Sequence, residues 1–153
     1  MGKQLARMHR SLSPNGQFGL DENNFIGSTP QDNSWTATWA EFYVNHRLQP
    51  QINMFEENGN EFPHKDELLD TAQQMLCNHH PSPSLLHGYT SLLVDSITCR
   101  DLWGGNTGFI KPDIPVIFDP AVYYGDRETD VIMTQVTFLS IASEGNCSFL
   151  VIR

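Results

Sequence analysis

Apolar positions change their period several times along the 153-residue chain, and each change predicts an element. Residues 2–11 set Leu5, Met8 and then Leu12 along one side, with Lys3, Arg7 and Arg10 along the other. That spacing predicts a short amphipathic helix. Residues 12–33 carry no period; Pro14-Asn15-Gly16, Gly19, Gly27 and Pro30 mark a long loop, pinned to the body by Phe18, Phe25 and Ile26. Helical spacing returns over 34–57, where Trp35, Trp39, Phe42 and Tyr43 fall at i, i+4, i+7 and i+8, a stripe suited to a core. Asp32, Asn33 or Ser34 is expected to cap this helix. Pro50 is expected to kink or interrupt it, and Asn58-Gly59-Asn60 to end it with a residue at positive φ.

A second amphipathic helix is predicted over 65–78, from Leu68, Leu69, Ala72, Met75 and Leu76, with Asp66 and Glu67 favouring the dipole of its first turn. A proline-bearing connector leads to a short strand at 84–88. The run 89–100, with Leu92-Leu93-Val94, reads as an extra strand or an ejected loop. Residues 107–110 and 114–118 read as two short strands joined by Lys111-Pro112-Asp113. A helix is expected from Asp126, with Glu128 and Asp130 in structural roles. The tail 136–152 is apolar and β-prone, an aggregation risk if left without a folded partner.

Candidate chemistry lies around the predicted hairpin. Leu85-Leu86-His87-Gly88 is followed by Asp101-Leu102-Trp103-Gly104-Gly105-Asn106, and the second strand runs into Phe118-Asp119-Pro120. An Asp, an Asn five residues on, and a hairpin ending in a second Asp form the pattern of a phosphotransferase catalytic loop. Phosphoryl transfer needs positioning and charge neutralisation more than covalent chemistry. Asp101 suits the base that accepts a hydroxyl proton. Asn106 and Asp119 offer an amide oxygen and a carboxylate, the hard ligands that Mg²⁺ takes, and a hairpin returns one beside the other. Spacing alone leaves a second reading open, in which Asp101 caps a turn and the pattern is coincidental.

The wider sequence resembles the fructosamine kinase (ketosamine-3-kinase) family. The likeness is carried by residues 2–10, Gln17-Phe18-Gly19, the run 24–31, Trp35, Trp39, Phe42, Arg47-Leu48 and Asn58-Gly59. Its most specific strings are Asp101-Leu102-Trp103-Gly104-Gly105-Asn106 and Phe118-Asp119-Pro120-Ala121 with Tyr123-Tyr124-Gly125-Asp126-Arg127-Glu128. The resemblance implies an α+β fold: the mainly helical C-terminal lobe of a protein-kinase-like fold, shared with aminoglycoside phosphotransferases, with a small catalytic-loop β-hairpin. It implies ATP-dependent phosphorylation of the sugar 3-hydroxyl of ketosamines, on glycated proteins or small molecules. Carried over by position, Asp101 is the base and Asn106 and Asp119 bind Mg²⁺ and with it ATP. His87 braces the catalytic loop, and Trp103 stacks on the sugar or fills the core.

The pattern departs from the family in three places. No Gly-rich loop or strand lysine precedes the first helix, residues 89–100 separate Gly88 from Asp101, and the tail 136–153 does not read as family sequence. Residues 1–135 are thus expected to form a partial kinase-like lobe with an atypical insertion at 89–100. Alone, such a chain is expected to be weakly active or inactive. The alternative is a non-catalytic, pseudokinase-like fragment that binds sugar adducts or another protein.

Composition narrows the partners. A net charge of −9 and a pI near 4.9 repel nucleic acid and anionic membranes, so neither is expected. Cys77, Cys99 and Cys147 are odd in number and lack a C-x-x-C pair, which argues against a disulfide framework. Cys77 with His79 and His80 lacks a fourth ligand at zinc spacing. No apolar run reaches the roughly 20 residues of a membrane span and no leader is evident, so the cytoplasm is the expected location.

Overall fold

The computed structural model describes residues 2–86, 107–111, 114–117 and 121–131. Helix α1 spans Gly2–Met8, three residues shorter than the 2–11 that its spacing predicts. The following segment is not a plain loop: β1 (Asn24–Ile26) and β2 (Thr29–Gln31) form an antiparallel hairpin, with Ile26 opposite Thr29. The turn between them is Gly27-Ser28, and Gly27 takes φ +56°. Two-residue hairpin turns require positive φ at their first central position, which glycine adopts without strain. Pro30 sits opposite Phe25 in this two-stranded ribbon, where an edge position tolerates the missing N–H.

The aromatic helix starts four residues later than its stripe predicts. Helix α2 spans Trp39–Tyr43 and is capped by Thr38 in a capping box with Glu41. Glu41 N–H donates to Thr38 Oγ1 at 3.2 Å and Thr38 N–H to Glu41 Oε2 at 3.2 Å. Asp32 caps only a local turn, accepting from Ser34 N–H at 3.0 Å. Residues between are held extended by reciprocal hydrogen bonds between Phe18 and Thr36, at 3.0 and 2.9 Å. Trp35 therefore leaves the stripe. It stacks on Tyr124 with centroids 5.9 Å apart and donates Nε1–H to Asp21 at 3.0 Å.

Pro50 interrupts the helix through a π segment rather than a simple kink. Residues Val44–Leu48 are π-helical, and α3 (Gln49–Glu57) follows with Pro50 in its first turn. Gln49 N–H reaches back five residues to Val44 O. Pro50 has no N–H to offer His46 O, and the Arg47 guanidinium donates to that carbonyl at 2.8 Å. Helix α3 ends as expected, with Gly59 at φ +84°.

Helix α4 spans Lys65–Leu76 and turns Leu69, Ala72 and Leu76 inward, while Leu68 and Met75 remain exposed. The core gathers Phe18, Trp39, Phe42 and Tyr123, with Leu20, Tyr43 and Leu76 packed against it. Tyr123 belongs to a strand that periodicity does not reveal: β6 (Tyr123–Gly125) pairs antiparallel with β3 (Ser84–Leu86). The predicted hairpin is present as β4 (Thr107–Lys111) and β5 (Ile114–Ile117), with Thr107 opposite Ile117. Residues 128–131 are helical. Glu128 N–H donates to Asp126 Oδ1 at 3.1 Å, so Asp126 caps that helix.

Candidate functional site

The predicted base Asp101, the predicted Mg²⁺ ligands Asn106 and Asp119, the sugar-stacking candidate Trp103 and the brace His87 lie outside the described residues, as do the insertion 89–100 and the tail 136–153. Their flanks are described. Thr107, which follows Asn106, pairs with Ile117, two residues before Asp119. Leu86, which precedes His87, pairs with Tyr123, four residues after Asp119. Both pairings are antiparallel, so in each the chain leaves and re-enters at one end.

A cavity of about 420 Å³ opens between the β1–β2 hairpin and the π segment, with Tyr123 in its wall. This lies within the size range of small-molecule sites. Carboxamides fasten the hairpin to the segment before β6. Asn24 Nδ2 donates to Val122 O at 2.8 Å, and Gln31 Nε2 donates to Asn24 Oδ1 at 2.8 Å and Ala121 O at 3.3 Å. Val122 is three residues from Asp119, so chain geometry keeps their Cα atoms within about 11 Å. The polar residues Asn23, Asn24, Thr29 and Gln31 line this cavity.

Arg47 is the hub behind the wall. Its guanidinium donates to Asp32 O at 2.7 Å, to His46 O at 2.8 Å and to Asn33 Oδ1. Its Cζ lies 4.4 Å from the Phe42 ring centroid and 4.3 Å from that of Tyr123. A planar cation between two aromatic faces, donating three hydrogen bonds through its two terminal nitrogens, fixes the hairpin, the π segment and β6 relative to one another. His46 Nδ1 meets Asp32 Oδ2 at 2.7 Å at the cavity edge. Partial burial pushes the Asp32 carboxyl up, but hydrogen bonds from Ser34 and the neighbouring His46 outweigh it and hold it below its ordinary value.

A second His–carboxylate pair joins the two ends of the described chain. His9 Nε2 on α1 lies 2.7 Å from Oδ2 of Asp130, which is fully buried. Burial pushes Asp130 up to about 6, against the opposing pull of His9. His79 pairs with Asp126 at 2.7 Å, one helical turn earlier. Arg47, His46 and Tyr123 were not marked as site residues by sequence reasoning. The family strings that hint at them are 24–31, Arg47-Leu48 and the run from Tyr123. Among the described residues, no three His, Cys, Asp or Glu side chains gather as a metal site, and no helix is long and apolar enough to cross a membrane.

Residues 1–142 match the sequence model of the fructosamine kinase family. The chain belongs to the fructosamine kinase family. It is 42% identical over 133 residues to "Probable ketoamine kinase YniA" of Escherichia coli K12, covering 87% of this chain and 42% of that protein. It is 36% identical over 141 residues to the chloroplastic protein-ribulosamine 3-kinase of Oryza sativa subsp. indica, covering 88% of this chain and 36% of that protein. The chain thus spans about two fifths of the length of these relatives. Among solved structures it is similar to a candidate fructosamine-3-kinase from Thermobifida fusca, at TM-score 0.71 and 31% identity over 89% of this chain and 43% of that one. A candidate fructosamine-3-kinase from Haemophilus somnus gives TM-score 0.68 and 31% identity, over 83% and 38%. The fold is therefore kinase-like, of mixed helix and strand, and the family's chemistry is that of a phosphotransferase.

Proposed function

We propose that this chain is the C-terminal-lobe portion of an ATP-dependent ketosamine 3-kinase of the protein-kinase-like, aminoglycoside phosphotransferase-like type, acting in the cytoplasm on glycated proteins or small ketosamines. The observation that carries the reading is the register of β4 and β5. Thr107 pairs with Ile117, which supports a reading in which the neighbouring Asn106 and the nearby Asp119 share one mouth. A carboxylate and an amide oxygen at one mouth suit a hard cation, so Asn106 and Asp119 would hold Mg²⁺. With ATP bound, that ion supplies charge neutralisation at the phosphate oxygens.

The protein's own residues do the rest. Asp101 accepts the proton of the sugar 3-hydroxyl as that oxygen takes the phosphoryl group. Trp103 stacks on the sugar ring, and His87, leaving the same end of β3 from which Val122 approaches β6, braces the loop. The cavity beside Val122 lies on the acceptor side. Residues 89–100 precede the base directly, and a displacement near 1 Å costs about a hundredfold in rate. Turnover by this chain is accordingly weak.

Phosphorylation of fructosyl-lysine with Mg²⁺-ATP, followed by ³¹P NMR, tests the reading. A phosphomonoester at sugar C3 is expected, and Asp101→Asn should slow its appearance by a hundredfold or more. Absence of that signal from the unaltered chain, or its persistence in Asp101→Asn, rejects the reading.

A further inference from the structure

The cavity between the β1–β2 hairpin and the π segment has a polar lining but an apolar open surface. Asn24 and Gln31 have committed their amide nitrogens to backbone carbonyls and to each other. Asn23 Oδ1 takes the N–H of Asn33 at 2.8 Å, and Gln31 Oε1 is buried inside the wall, not open to the cavity. Asp32 is held by Ser34 and His46, and the Arg47 guanidinium by the carbonyls of Asp32 and His46 and by Asn33. The remaining lining includes Phe25, Ile26, Pro30, Leu48 and Pro50. Phe25 is 59% exposed, a large aromatic left in water at the rim.

We propose that this cavity receives the amine-derived arm of a ketosamine and selects apolar arms, alkyl or aryl, over charged ones; the inference rests on the ketosamine reading. Three arguments converge. First, the hydrogen bonds of Asn24 and Gln31 tie the cavity to residues 121–122, within about 11 Å of the Asp119 backbone. A sugar held near that carboxylate has its amine substituent within reach of the cavity. Second, a charged arm would lose hydration against walls whose ionic groups are already engaged, which is costly without a new partner. Third, an apolar arm releases water from Phe25 and Leu48, a gain that grows with each methylene buried. Selection by an apolar wall is graded: each extra methylene deepens binding until the cavity is full.

The test is a binding series by calorimetry on the full chain. The probes are 1-deoxy-1-alkylamino-fructoses with methyl, propyl, butyl, hexyl and phenethyl arms, a carboxypropyl arm as the charged counterpart of butyl, and the n-alkylamines alone. Affinity is expected to rise about fourfold per methylene, and to fall well below the butyl value for the carboxypropyl arm. Leu48→Trp, which fills the cavity, should flatten the series. Should that variant not fold, Phe25→Ser at the exposed rim should still weaken the hexyl and phenethyl members several-fold. Affinity indifferent to arm length, or a series unchanged in both variants, overturns the proposal. A length-dependent series without any phosphorylation of these adducts leaves the cavity's preference standing and removes the kinase reading alone.

Discussion

Asp130 shows how a single buried group sets a pH dependence. Its carboxyl is fully buried and raised to about 6, so between its ordinary value near 3.8 and about 6 the folded chain holds a proton that the unfolded chain has released. The stability this supplies is complete at pH below about 4 and is lost as pH rises through 6. Asp130→Asn keeps the shape and removes the titration. Against that variant, the unaltered chain should lose on the order of 1–3 kcal/mol between pH 4 and 7 in urea unfolding; parallel curves would mean the proton is not taken up on folding. Gly19 is fixed by a different constraint. It takes φ +138°, and a Cβ there would stand 2.6 Å from Asn33 O and 3.0 Å from Trp35 Cα. Both obstacles lie in the segment that Gly19 and Leu20 pack against, and Leu20 N–H donates to Asn33 O at 2.9 Å. Gly19→Ala should therefore cost about 3 kcal/mol, strain and clash together, whereas Gly16→Ala, with open space around its Cβ, should cost only its positive φ.

Among the elements, those with long periodic runs were legible and those built from few residues were not. Helix α4 follows its apolar spacing, and β4–β5 follows its two apolar runs. Helix α2 starts late because backbone pairing between Phe18 and Thr36 is a long-range fact that no local window contains. Strand β6 is three residues long, and its identity depends on β3, some forty residues away in sequence. The β1–β2 hairpin carried a signal in Ile26-Gly27-Ser28-Thr29, hidden by the scarcity of apolar alternation around it. The π segment was legible only as a break at Pro50, because Arg47's service to His46 O depends on side-chain placement. Arg47 joins three of these elements at once. Arg47→Ala should lower stability by about 3 kcal/mol, since it strands several carbonyl acceptors and opens the space between Phe42 and Tyr123. Arg47→Lys should recover less than half of that in thermal unfolding, because an ammonium has neither the fork nor the flat face.

At the scale of the molecule, the candidate chemistry depends on two returns of the chain, each made by an antiparallel pair. The β3–β6 pair brings Leu86 beside Tyr123, and the β4–β5 pair brings Thr107 beside Ile117. The sequence spacing alone is compatible with either a metal mouth or two unrelated polar residues; the register that pairs Thr107 with Ile117 supports the proposed mouth. Mn²⁺-ATP provides a test that does not depend on turnover. Paramagnetic broadening of the backbone amides should be strong at both Thr107 and Ile117, which face each other across the hairpin, and weaker at Lys111 and Ile114 near its far turn. Asp119→Ala should reduce the broadening at both ends together, because it removes one ligand of a shared ion. Broadening confined to one strand, or unchanged by Asp119→Ala, would place the ion elsewhere and separate Asn106 from Asp119 in function.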